Sequence, residues 1–130
     1  MEEDQLTSRI IACALTVHQA LGPGLLESAY QNCLEADLRK QGLKIETQLL
    51  LPLIYNGVRT KKGYRVDFLV EKKVVVEVKA ERRITLLDHA QVQTYLRLLN
   101  CRIGLLLNFN TRWLKNGIAR IINPGYDPLR

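Results

Sequence analysis

The chain has 130 residues, 47% hydrophobic and 25% charged, with 19 Lys and Arg against 13 Asp and Glu for a formal charge of +6. That length and balance suit a single globular domain over residues 1–130 and leave little room for a second. Charge interrupts every apolar run before the ~18 residues a membrane-spanning helix needs, and the opening MEEDQLTSR is acidic where a secretion signal is basic; a soluble, cytoplasmic protein without a membrane partner is therefore expected.

Leu6, Ile10, Ala14, Val17 and Leu21 recur at helical spacing until Gly22-Pro23-Gly24 stops them, which predicts a first helix. A second is expected from about Leu25, with Tyr30, Cys33, Leu34 and Leu38 on one stripe, Glu27 in its first turn and Gly42 past its end. The three cysteines, Cys13, Cys33 and Cys101, are far apart, lack C-x-x-C spacing and fall in apolar patterns, so buried reduced thiols are expected rather than a zinc site.

LKIETQLLLPLIYNG changes character: Pro52 confines this strand to an edge or a bend, and Asn56-Gly57 marks a tight turn. GYRVDFLV and KVVVEVKA then form a hairpin, followed by a helix over TLLDHAQVQTYLRLLN that opens with Thr85 and Asp88 at capping-box spacing. RIGLLLNF reads as a strand covered on both faces. A strand, a helix and another buried strand in that order imply a parallel pair, so the sheet is mixed. The tail offers a last strand near Ile118 to Ile122, then a Pro/Gly-rich end expected to be loosely held.

Charges interrupt the hairpin where burial should be deepest. Side chains alternate along a strand, so Glu77 and Lys79 share a face opposite Val76 and Val78. With a three-residue loop, Glu71-Lys72-Lys73, Asp67 falls opposite Glu77; a two-residue loop would put it on the other face. Two carboxylates directly across from one another repel unless one is protonated or a hard cation lies between them. Taken alone, Glu77 and Lys79 read as a solvated ion pair, and Glu27 as a complement to a helix dipole. Glu27, however, leans toward the stripe of Tyr30 and Leu34, and Gln91 is expected to share a helical face with Leu87, Tyr95 and Leu98.

Glu27 on a helix, Asp67 on one strand, Glu77-x-Lys79 on the next and Gln91-x-x-x-Tyr95 on the following helix resemble the PD-(D/E)XK nuclease superfamily. Gly24-Leu25-Leu26-Glu27-Ser28-Ala29-Tyr30 looks more closely like the signature of its GxxExxY branch, and the likeness covers nearly the whole chain. The resemblance implies an α/β fold, a restriction-endonuclease-like α-β-β-β-α-β core with a mixed sheet flanked by helices. It also implies hydrolysis of DNA or RNA with Mg²⁺ or Mn²⁺ held by Asp67 and Glu77. Lys79 would be the catalytic lysine, Glu27 a further acidic ligand or orienting group, and Gln91 with Tyr95 the helix motif. Val66 stands where the superfamily name has Pro.

Arg59, Lys61, Lys62, Arg65, Arg82 and Arg83 flank this set and suit a nucleic-acid backbone, or equally a solvated basic edge. His18 is expected to be a structural hydrogen-bonder, His89 a surface residue, and Trp113 a cap over the sheet end. The alternative reading is a non-catalytic module binding nucleic acid or protein on the same fold. A homodimer would give so small a domain the reach to grip a duplex.

Overall fold

The computed structural model of the protein describes residues 1–130. Helix α1 spans Glu3–Leu21 and buries Leu6, Ile10, Ala14 and Val17 at the expected spacing; Leu21, in its last turn, lies at the surface. Helix α2, Glu27–Lys40, begins two residues later than expected because Leu26 takes the extended N-cap conformation. Leu25 and Leu26 are consequently exposed. Tyr30, Leu34 and Leu38 recur every four residues and form the buried stripe. Cys33 lies one residue off that stripe and is exposed, which corrects the expectation of a buried thiol; Cys13 and Cys101 are buried and unpaired.

Five strands form the main sheet in the order β1-β4-β5-β6-β7: β1 (Ile45–Leu51), β4 (Tyr64–Val70), β5 (Val74–Lys79), β6 (Ile103–Asn108) and β7 (Ile118–Ile122). The short β2 (Ile54–Tyr55) and β3 (Val58–Arg59) pair separately across the Asn56-Gly57 turn. Only β5 and β6 run parallel, joined through helix α3 (Leu86–Leu99), as the strand-helix-strand order requires. The order α2-β1-β4-β5-α3-β6 is the restriction-endonuclease-like core, here with α1, the β2-β3 hairpin and β7 added.

α1 and α2 cover one face of the sheet, where Phe68, Val76, Val78, Leu105 and Leu107 meet Leu6, Ile10 and Leu34. α3 covers the other, where Val75 and Leu106 meet Val92, Tyr95 and Leu96. Strand alternation fails at one place. Ile45, Phe68 and Val70 face α1 and α2, whereas Val66, Leu49 and Leu51 pack on the α3 side. The reversal falls at Gln48, whose φ of +50° lies in the left-handed region, and at Asp67 opposite it; pairing between β1 and β4 skips these two residues.

Thr85 and Asp88 form the expected capping box at the start of α3. The helix is turned relative to the expected face: Leu87 is 81% exposed, and the buried line is Asp88, Val92, Tyr95 and Leu96. The cause is Gly104 on β6, where an added Cβ would stand 2.8 Å from Val92 Cγ1. The valine ridge seats on the bare glycine, which moves Gln91 to the rim of the interface. The tail is held more firmly than expected. Asn123 is buried and donates to the Cys101 carbonyl at 3.0 Å, and the Asn100 side chain donates to the Asp127 carbonyl at 2.8 Å and accepts the Asp127 N–H at 3.1 Å.

Gly104→Val would drive two methyl groups into Val92 and Leu96. Overpacking of this kind costs about 1–3 kcal/mol, and urea denaturation of the purified variant is expected to show a midpoint lowered accordingly, with the slope unchanged.

Candidate active site

The β4-β5 turn fixes the site. Val70, Leu69 and Phe68 pair with Val74, Val75 and Val76, the register of a three-residue loop. Glu71 and Lys72 accept φ values of +53° and +56°, and the Lys73 N–H closes the turn on the Val70 carbonyl at 2.9 Å. Continued by one more pair, this register sets Asp67 opposite Glu77.

Regular pairing stops one pair short. Beyond Phe68 and Val76 the two strands are joined by their own acidic side chains: Asp67 N–H donates to Glu77 Oε2 at 2.7 Å, and Val78 N–H donates to Asp67 Oδ2 at 2.9 Å. Each carboxylate thereby satisfies a backbone donor that the ladder leaves free, and each is anchored by one oxygen. Asp67 Oδ1 and Glu77 Oε1 receive no protein donor.

Burial comes first in the electrostatics. Glu77 is 3% exposed, and desolvation, reinforced by the Asp67 charge, pushes its carboxyl up to about 8 against the bond from Asp67 N–H and the charge of Lys79. Desolvation also raises Asp67, although the Val78 N–H and Lys79 pull the other way. Tyr95 is pushed up to about 12 by burial and by the charges of Glu77 and Asp67; it is a neutral phenol donating to the Arg65 carbonyl at 3.2 Å.

Lys79, on the same face as Glu77, is held from the α3 side. Its Nζ donates to Gln91 Oε1 at 3.0 Å and stands 3.8 Å from Asp88 Oδ1. Asp88 therefore has two duties, since its other oxygen accepts the Thr85 N–H of the capping box at 2.9 Å. Glu81 adjoins it with a buried Oε2 that no group satisfies. Burial and a proton shared with Asp88 push Glu81 up to about 7. Burial would raise Asp88 too, but that shared proton and the Thr85 bonds leave it below the ordinary range.

Glu27 enters from the opposite side as the first residue of α2, half-buried, in a cleft of about 560 Å³ that Asp67, Gln48 and Arg65 also line. Its place is set locally. Tyr30 Oη donates to the Gly22 carbonyl at 2.6 Å and accepts the Leu25 N–H at 3.1 Å, cinching a loop that Gly24 can turn because its φ is +100°. Tyr30 itself stacks on Phe109, with ring centroids 4.6 Å apart. Glycine turns the chain, tyrosine ties the loop, and the acid between them faces the fork.

Residues 4–121 match the family model of the PD-(D/E)XK nuclease superfamily. The chain belongs to this superfamily. The fold is also similar to that in the crystal structure of SSO0001, with a TM-score of 0.57 and 24% identity over 75% of this chain and 50% of that one. This chain thus spans half the length of that protein, and the likeness concerns the fold. No curated protein matches the chain.

The superfamily's divalent ion can be tested against these donors. Asp67 and Glu77 each present one hard oxygen that no protein donor occupies, and a cation between them would relieve the repulsion of the two acids. No three of the chain's His, Cys, Asp and Glu residues gather into a ready-made ligand cluster. Two carboxylates with the remaining positions left to water suit Mg²⁺, which keeps several of its waters, better than an ion that needs a protein cage. The donor set fits.

All six residues singled out in the sequence lie around the place where β4 and β5 part: Asp67, Glu77 and Lys79 on the strands, Gln91 and Tyr95 beneath them on α3, and Glu27 across the cleft. Sequence reasoning missed three others. Asp88 was legible only as a cap, although its spacing of three from Gln91 puts both on one side of α3. Glu81 continues the alternation of Glu77 and Lys79, a signal that was there to be read. Gln48 carries none, because nothing in its identity announces a left-handed backbone. The basic residues Arg59, Lys61, Lys62, Arg65, Arg82 and Arg83 are all exposed, His18 accepts its structural role by bonding the Thr111 carbonyl at 2.7 Å, and His89 is half-buried.

The raised carboxyl of Glu77 has a stability consequence. Between its ordinary 4.5 and about 8 the native state binds a proton that the unfolded chain has released, so without metal the protein should lose stability as the pH rises through that window. Asp67 and Glu81 shift in the same direction. Denaturant titrations of metal-free protein at pH 5 and pH 8.5 are expected to show the decline, and Glu77→Gln, which keeps an acceptor for the Asp67 N–H, should make it shallower.

Proposed function

We propose that the chain is a single-domain, divalent-metal-dependent nuclease of the GxxExxY branch that hydrolyses phosphodiester bonds of DNA or RNA. The observation that carries this reading is the fork itself: a buried and a half-buried carboxylate with an oxygen each to spare, beside an ammonium held in place by Gln91 and Asp88. Asp67 and Glu77 would hold Mg²⁺ or Mn²⁺, with Glu27 as a further ligand, directly or through water, or as an orienting group. When bound, such an ion polarises a phosphodiester and lowers the pKa of coordinated water.

The chain's own groups supply the rest. Lys79 is a fixed positive charge beside the acids, where it stabilises the negative charge that grows on phosphate oxygens as the bond breaks. Gln91 and Asp88 hold that ammonium so that no reorganisation is needed during the reaction. Tyr95, kept protonated, fixes the backbone of Arg65 at the cleft rim. Arg65, lining the cleft, and the exposed Arg82 and Arg83 draw the phosphate backbone toward it. The reading as a G-x-x-E-x-x-Y protein is supported by the loop itself, where Gly24 turns the chain, Glu27 lines the cleft and Tyr30 ties Gly22 to Leu25.

Two measurements test the reading. Millimolar Mg²⁺ or Mn²⁺ should raise the melting temperature of the wild type by several degrees and leave Asp67→Asn unmoved; no shift in either would leave a non-catalytic binding module. Incubation with single- and double-stranded DNA and RNA should give metal-dependent cleavage, slowed about a hundredfold or more in Lys79→Ala, the scale of losing one charge-stabilising group. Cleavage that persists undiminished in Lys79→Ala would exclude this site as its source.

A further inference from the structure

A second cleft, of about 720 Å³, opens between the C-terminal end of α1 and the turn that follows β6. Trp113 lines it and is 57% exposed, so it does not cap the sheet as its position in the sequence suggested. The Arg112 guanidinium lies 5.4 Å from the centroid of the indole ring, close enough for a cation–π contact that holds the ring in place. Lys115 and Gln19 stand on the walls, and no carboxylate lines the cleft. An exposed indole flanked by two cations and an amide suits a ligand that is flat and aromatic at one end and anionic at the other.

The cleft is not remote from the acids. Gly22 and Pro23 line it, while Leu25 and Leu26, on the same short loop, line the cleft of Asp67 and Glu27. From Pro23 to Leu25 the chain can span at most about 7 Å. Tyr30 ties this loop at Gly22 and Leu25. On the sheet side the two clefts are joined again, since Phe109 N–H donates to the Lys79 carbonyl at 2.9 Å and Asn108 Oδ1 accepts the Glu81 N–H at 3.0 Å. His18, gripping the Thr111 carbonyl, fixes the turn that presents Arg112 and Trp113.

We propose that Trp113, supported by Arg112 and Lys115, is a stacking subsite for an unpaired base of single-stranded nucleic acid whose backbone continues over the Gly22–Leu26 loop into the Asp67 and Glu77 site. Only the destination of the strand rests on the nuclease reading; the stacking does not. A base inside a duplex has both faces covered by its neighbours, whereas an unpaired base has a free face for the indole. The subsite therefore selects single strands, or the frayed end of a duplex, over a blunt duplex.

Trp113 is the chain's only tryptophan, so its fluorescence reports on this cleft alone. Wild-type protein in EDTA, titrated with oligothymidylate and oligouridylate of about a dozen nucleotides, should show saturable quenching, and a blunt-ended, GC-rich duplex of two fully complementary strands should show little. Anisotropy of a labelled oligomer should report binding weakened about 5- to 100-fold by Trp113→Ala and largely retained by Trp113→Phe, the range of one base–aromatic stack. Both variants alter a surface ring, and their melting temperatures check that they fold.

Unchanged fluorescence, affinity that survives Trp113→Ala, or equal quenching by the blunt duplex would each overturn the proposal. Metal-dependent cleavage of the same oligomers separates the two readings. With both correct, Trp113→Ala raises KM and spares kcat, while Lys79→Ala loses kcat. Quenching without cleavage by the wild type would refute the nuclease reading and leave the subsite standing, whereas cleavage with an unchanged KM in Trp113→Ala would refute the subsite alone.

Discussion

Two carboxylates bonded to each other's strands are the constraint on which the site depends. Where β4 and β5 part, Asp67 holds the Val78 N–H and Glu77 holds the Asp67 N–H, so the acids replace the ladder bonds that the fork has given up. This accounts for charge in the middle of an apolar hairpin. A buried carboxylate is costly unless hydrogen-bonded, and an unpaired buried N–H is costly as well; each need answers the other. What the exchange does not satisfy is the repulsion between the acids and the spare oxygen on each. The fold thus holds the pair near one another, incompletely compensated, in a condition that a doubly charged ion completes.

The helix behind the sheet is tied into the same arrangement. Asp88 closes the first turn of α3 with one oxygen and faces Lys79 with the other, and Gln91 one turn later takes the ammonium directly. The position of Lys79 is therefore coupled to how well α3 is capped and to how it lies on Gly104. Glu81 and Asp88 lie beside the same lysine and shift in opposite directions, Glu81 raised chiefly by burial and by its neighbour, Asp88 lowered against the effect of burial by Glu81 and the Thr85 bonds.

Much of this was legible in the sequence, for physical reasons that can be named. Two hairpin registers were open from the sequence, and the one with the three-residue loop Glu71-Lys72-Lys73 is the one that forms, loop length fixing which residues oppose one another. The parallel pairing of β5 and β6 followed from a strand-helix-strand order, and the N-terminus of α3 from Thr85 and Asp88. The failures are equally specific. Periodicity placed Leu87 on the buried face of α3, but an absent side chain at Gly104, on another element, decides the rotation. Strict alternation was assumed through Asp67, whereas the left-handed Gln48 across from it turns Val66 to the opposite face from Phe68. Trp113 was expected to cap the sheet end, and its exposure is a property of the turn that carries it. In each case the deciding contact lies between distant parts of the chain.

The kink at Gln48 has a bearing beyond the cleft. β1 is an outermost strand of the sheet, and an outermost strand presents a row of free donors and acceptors on which another polypeptide can lay itself down. A left-handed residue in the middle of that row throws its two halves out of phase, and Pro52 withholds a donor just past its end. An incoming strand could match either half but not both in succession. The backbone conformation that shapes one wall of the cleft also makes this margin a poor template for self-association into fibres.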